Sequence, residues 1–213
     1  MTRLDVVRSA AVLVLLASAP AIRAQGFVIE GYGGYSDLSK VSRSANAVFG
    51  SSGGGTFGGG VGYVFEKGFY VSAGVRTFSK SGTRVFVADA SSPAFSLGHP
   101  LTARLTPIFA TVGYRFKIGD KPFVPYVGAG GGITKYHEES TIAGLTESQS
   151  ETKAGAHVLA GVEIGKSRLR FAVEGQYATV PNTIGVGGIS QVYGETDVGG
   201  FTALGKVVFA LSR

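Results

Sequence analysis

Cysteine is absent from the 213 residues, so no disulfide can staple this fold. Small secreted soluble domains commonly depend on such staples. A sheet that closes on itself does not need them. Charge is also scarce, at 16% of residues against about 25% in ordinary soluble domains. Beyond the first twenty residues no apolar run is long enough for a membrane-spanning helix, so only strands or a peripheral contact could bring the rest of the chain to a bilayer. The three histidines, His99, His137 and His157, show no metal-ligand spacing. No phosphate loop or nucleophile elbow is present either, so no catalytic, cofactor or metal residue can be named. The net charge is +6, but the basic residues are scattered, and no nucleic-acid partner is expected.

What the chain has in excess is glycine, 34 of 213 residues, more than twice the usual share of about 7%. It also has an export signal at its start. Arg3 and Arg8 precede the apolar run Ala10 to Ala19, and small residues around Ala21 and Ala24 follow. This is the charge–apolar–small order of a secretory signal. We expect residues 1–24 to be a helical signal peptide and 25–213 to be one mature domain, with a cut after Ala21 as the alternative.

The segment 154–179 reads as a β-hairpin. Ala154, Ala156, Val158, Ala160, Val162 and Ile164 share one face, while Gly155, His157, Leu159, Gly161 and Glu163 share the other. After Gly165 to Arg168, the residues Leu169, Phe171, Val173, Gly175 and Tyr177 alternate with Arg170, Ala172, Glu174 and Gln176. Period-two alternation gives each strand one apolar face. The other face is rich in glycine, including Gly58, Gly60 and Gly62, and Gly128, Gly130 and Gly132. Glycine on a solvated strand face packs nothing and costs backbone entropy. Inside a narrow barrel it leaves the room that neighbouring side chains fill. The apolar face therefore belongs to lipid.

Eight segments fit this pattern, near 26–36, 55–66, 68–79, 102–117, 122–136, 152–165, 168–179 and 198–211. Their connections alternate between tight (66–68, 118–121, 165–168) and long (37–54, 80–101, 137–151, 180–197). That is the up-and-down order of an outer-membrane barrel, with short periplasmic turns and long external loops. The even count puts both ends on the periplasmic side. Arg84 to Val87 reads as apolar and extended, so strands three and four are expected to project beyond the membrane, with a ten-stranded barrel as the alternative. Pro107 and Pro125 fall inside predicted strands and should each mark a bulge or a later strand start. Tyr63, Phe65 and Phe69, with Tyr114, Phe116 and Phe123, flank two short turns, where an aromatic girdle belongs.

Three phrases carry a family resemblance: Val112-Gly113-Tyr114-Arg115-Phe116, Pro125-Tyr126-Val127-Gly128-Ala129-Gly130, and the alternating Val207, Phe209 and Leu211. Through them the mature chain resembles the small outer-membrane β-barrels of Gram-negative bacteria, OmpA/OmpX-like and OmpW-like. The resemblance implies an all-β fold: an eight-stranded antiparallel up-and-down transmembrane β-barrel. It also implies residence in the outer membrane among lipid and lipopolysaccharide, assembly by the barrel-insertion machinery, and a monomer. Such barrels usually finish on an aromatic residue, whereas here Ser212-Arg213 follow Leu211.

Inward parity collects Glu30, Arg76, Arg115, His157, Glu163, Arg170, Glu174 and Lys206. Buried charges must be paired and hydrogen-bonded, so we expect an interior charge network. Within it Glu163 should face Arg170 across the ladder, and Lys206 should bridge Glu174 and Glu30 at the closing seam. A charged plug implies a non-enzymatic barrel with a structural or surface-interaction role. A narrow solute or ion channel and a lipid-modifying enzyme are the alternatives. Tyr136-His137-Glu138-Glu139-Ser140 groups hydrolase-like side chains, but in a segment read as a solvated acidic loop.

Overall fold

The computed structural model describes residues 24–211 except 117, 119–121, 143, 166 and 167. The expected signal peptide lies outside the described residues apart from its last position. Eight strands run in chain order: β1 (Ala24–Asp37), β2 (Gly53–Phe65), β3 (Phe69–Phe86), β4 (Phe95–Arg115), β5 (Phe123–Ile142), β6 (Leu145–Ile164), β7 (Leu169–Thr179) and β8 (Gly200–Ala210). Each pairs antiparallel with its sequence neighbours, and β8 pairs back onto β1 to close the barrel. The eight segments read from the sequence all form strands, and Arg84 extends β3 rather than opening a ninth.

Closure follows from the alternation. Phe57, Val61, Val112, Val158, Phe171 and Val173 stand exposed on the outside. Val28, Leu159, Glu163, Glu174, Leu204 and Val208 are buried inside. So broad a band of exposed apolar side chains is not a soluble surface; it is the lipid belt of a transmembrane barrel. At the short-turn end the aromatic rings meet edge to face. Phe27, Tyr63 and Phe65 form one series with centroids 4.6 and 5.1 Å apart. Phe69, Tyr114 and Phe116 form another, each step 5.0 Å. The first short turn rests on Gly68, whose φ of 91° few other residues adopt and whose N–H donates to the Phe65 carbonyl at 3.0 Å.

The strands are unequal, and this corrects the loop map. Strands β1, β2, β7 and β8 have 11 to 14 residues, whereas β3 to β6 have 18 to 21. About 9–11 residues cross a bilayer, so β3–β6 rise well beyond it as a four-stranded wall. Residues 137–151 are therefore not a loop. β5 and β6 stay paired to Ile142↔Leu145, and the reversal uses Gly144 at φ 82°. The segment is polar on both faces because both faces of a hairpin outside the membrane can meet water. That is why no alternation marked it. Residues 80–101 are also mostly ladder, up to Phe86↔Phe95, so β3 and β4 project as the extended reading of Arg84 to Val87 anticipates. The 37–54 connection holds a 3-10 turn (Ser39–Val41) and helix α1 (Ser42–Phe49), and the 180–197 connection holds helix α2 (Gly188–Tyr193).

The prolines make no bulges. Among the described residues the register shifts only at Ala24/Gly26 and Thr83/Val85. Pro107 pairs with Thr134 on β5. On its β3 side, the ladder skips from Val75↔Ile108 to Phe78↔Leu105 without changing register. The missing N–H is absorbed as a gap. Pro125 pairs with Val162 and accepts from the Phe116 N–H at 2.7 Å, a bond that needs only its carbonyl.

Interior glycines make space for interior tyrosines. A Cβ at Gly58 or Gly74 would strike Tyr32, one at Gly113 or Gly128 would strike Tyr70, and one at Gly161 would strike Tyr126. Three rings thus lie across glycine-floored positions, and Tyr32 donates to the Gly59 and Val75 carbonyls at 2.9 and 3.1 Å.

Candidate functional site: a layered interior beneath a roofed mouth

The barrel axis is filled in layers. Nearest the short turns, Glu163 accepts from both Arg115 and Arg170, the latter at 2.7 Å. Glu163 is only 3% exposed, so two guanidiniums compensate one desolvated carboxylate. The expectation that Arg170 sits directly opposite Glu163 needs correction. Glu163 pairs with Ala172 and Arg170 with Val208, and the long guanidinium reaches Glu163 diagonally.

One layer further out, the Lys206 ammonium lies 2.6 Å from Glu174 and 3.1 Å from Glu30. The register explains this. Lys206 pairs with Tyr32 on β1 and Ala172 on β7, while Glu30 and Glu174 pair with Val208 and Leu204, two residues to either side of Lys206. The two acids are its diagonal neighbours on flanking strands. Tyr126 donates its hydroxyl to Glu174 at 3.0 Å, and the rings of Tyr32 and Tyr126 lie 5.5 and 5.9 Å from the ammonium. The inner layer has one surplus cation and this layer one surplus anion, so the two offset each other.

Above them Arg76 donates to Gln176 and lies 5.9 Å from the Phe109 ring. His157 shares a 2.9 Å hydrogen bond with Thr111 and meets Phe109 edge-on at 5.4 Å. Arg76 therefore joins neither carboxylate cluster; an amide holds it. Sequence reasoning missed Gln176, Tyr126 and Thr111 because neutral polar groups carry no charge to be balanced. Their inward parity was the available signal. An apolar layer of Val41, Phe78, Leu105, Val180 and Val198 completes the filling.

Over this layer the long connections form a roof. Glu195, from the connection before β8, receives the Arg43 and Ser44 N–H groups of α1 at 3.0 and 2.9 Å and the Ser44 hydroxyl. A carboxylate from one loop thus caps a helix in another, where orphan donors and the helix dipole favour an anion. The Arg43 guanidinium stacks 4.2 Å over Tyr193 of α2, joining the same two loops. Asp197 fastens the base of this loop. Partial burial raises its carboxyl, but hydrogen bonds from Thr179 and from the N–H groups of Val180 and Gly199 outweigh it and hold the pKa below the usual range. The hydrolase-like residues form no buried triad: the partly exposed His137 meets Ser150 at 2.8 Å and Glu139 at 3.9 Å, Ser140 donates to the Pro100 carbonyl, and Glu138 accepts from Tyr136.

A closed eight-stranded barrel with a lipid belt, aromatic girdle and charged interior defines the class: an integral outer-membrane β-barrel. Residues 9–203 match the family described as outer membrane protein beta-barrel domain, and the chain belongs to that family. No curated protein matches the sequence. Several solved structures do. Neisserial surface protein A is 16% identical, with 88% of this chain and 97% of that one covered and a TM-score of 0.53. Ail of Yersinia pestis is 16% identical over 88% and 99%, with a TM-score of 0.46. The N-terminal β-barrel domain of Pseudomonas aeruginosa OprF is 15% identical over 88% and 98%, with a TM-score of 0.44. At such identities the likeness to the Neisserial protein is one of fold.

Proposed function

We propose that the chain is a non-enzymatic, monomeric outer-membrane barrel that acts through its outer surface, as a structural or surface-interaction protein, and conducts nothing of consequence. The observation that carries this reading is the filled axis. Two ion-pair layers, the Arg76–Gln176 layer and the apolar layer lie in succession, and the cavities between them measure about 70 and 30 Å³. Voids of that size hold a few waters rather than a solute. The wall of β3–β6 and the tied loops are what such a barrel presents beyond the bilayer, and binding functions concentrate on loops held by a rigid scaffold.

The expected result in planar bilayers is negligible steady conductance from the refolded native chain. Large, steady conductance would replace this reading with the channel.

The same proposal includes export and residence. Residues 1–24 are removed by signal cleavage, the barrel-insertion machinery assembles the remainder, and the outer half contacts lipopolysaccharide. Outer-membrane fractions should yield a heat-modifiable band whose N-terminus is Gln25. A soluble periplasmic product with no heat shift would remove the placement.

A further inference from the structure

The filled axis leaves one roomy chamber above it. A cavity of about 380 Å³ lies at the mouth, between the apolar layer and the loop roof. That volume falls in the lower part of the range typical of small-molecule sites, about 300–1,000 Å³. Its lining is two-sided. Leu105 and Val198 rise from below, and Ala45, Val48 and Ile184 come from the roof. The opposite wall is the inner face of β5 and β6, with Glu138, Gln149, Glu151 and Lys153.

The charges on this wall do not balance. Lys153 pairs with Glu151 at 3.3 Å, and Arg84 pairs with Glu147 at 3.0 Å. Glu138 is half-buried and accepts a hydrogen bond from the Tyr136 hydroxyl, but among the described residues no cation lies within ion-pair distance of it. Arg84 and Lys153 also line the chamber, each held by its own glutamate, which leaves Glu138 as a carboxylate with no paired cation. A charge-assisted hydrogen bond from an ammonium would supply one, and the apolar layer and roof would bury an aliphatic body.

We propose that the mouth chamber binds an amphiphilic small molecule with a single apolar chain and a protonated amine, the amine meeting Glu138 and the chain lying against Leu105 and Val48. This site is independent of the filled axis below it: a ligand can bind in the chamber whether or not anything passes through.

The test uses the mature barrel in phosphatidylcholine nanodiscs, titrated with octylamine, octanol and octanoate, with empty discs subtracted. Octylamine should bind saturably at one site per barrel, about tenfold tighter than octanol, with octanoate weakest. Glu138→Gln should remove the preference for octylamine over octanol while leaving octanol binding intact. Gln149→Trp, at an exposed position on the β6 wall, should block all three by filling the chamber. Its heat-modifiable migration on a gel should show that the barrel still forms. Equal octylamine binding by the native chain, Glu138→Gln and Gln149→Trp would place the amine on the lipid belt and overturn the proposal, as would the absence of saturable binding. Phosphatidylethanolamine carries the same amine chemistry in a lipid. If adding it to the discs abolishes octylamine binding, the occupant is a headgroup and the free-ligand assignment falls.

Discussion

Lys206→Met is expected to destabilise the folded barrel by about 3–5 kcal/mol, the usual cost of removing one partner from a buried charge pair. The reason is geometric. Lys206 is the shared counter-ion of Glu30 and Glu174, at 3.1 and 2.6 Å, and the Glu174 side chain is only 4% exposed. Once the ammonium is gone, neither carboxylate has an ion-pair partner among the described residues, and the Tyr126 hydroxyl bonds Glu174 alone. The matched change Lys206→Met with Glu174→Gln removes one of the two stranded charges, and its unfolding midpoint in urea should recover part of the loss. A double-mutant cycle over the four chains isolates the pairwise energy. Strictly additive effects would mean that the 2.6 Å contact contributes no coupling. The cycle also bears on the filled axis, because losing the central cation should loosen the layer and raise bilayer conductance above the native baseline.

The residues that made this site legible were those with no alternative. Lys206, Glu174 and Glu30 share inward parity on three strands that closure makes adjacent, and a narrow interior offers them no other partners. Their meeting required only period two and an even strand count. Arg170 and Glu163 were harder. Symmetry about the turn placed them opposite, but the ladder runs Glu163↔Ala172, because the register is set by the whole closed sheet and not by the turn centre. Arg76 was misjudged in another way: charge counting looks for carboxylates, and its partner is the Gln176 amide.

Beyond the membrane the signal fails for a physical reason. Inside the bilayer one face must be apolar, so a strand announces itself. Above it, His137 to Glu151 can be polar on both faces and still form a ladder, so the same composition reads equally as loop. The helices of the roof are equally quiet. α1 carries no acidic residue in its first turn, and its capping carboxylate, Glu195, comes from a segment about 150 residues away. A cap supplied from another connection, adjacent only through the β8–β1 closure, leaves no local motif.

Val173→Arg is expected to cost about 2–4 kcal/mol, the depth-dependent penalty for a cation on the lipid face near the midplane. Val173 is 67% exposed, and its neighbours on the ladder are Val162 and Gly205. It lies on β7, near the middle of the 11 residues from Leu169 to Thr179. No acid on the same face lies on those adjoining positions to pair with an incoming guanidinium. The control is Val186→Arg, at a 91% exposed position in the 180–199 connection, where water solvates the charge and the change should stay within about 0.5 kcal/mol. An interior position is not a neutral control here. Gln176 is 3% exposed and holds Arg76, so Gln176→Arg would press two buried guanidiniums together and remove the acceptor at once. Measured as folded fraction after refolding into lipid vesicles, the expected order is therefore native and Val186→Arg together, with Val173→Arg and Gln176→Arg well below. If Val173→Arg folds as well as Val186→Arg, the outer face of β7 does not meet lipid, and the inside–outside assignment of the whole barrel fails with it.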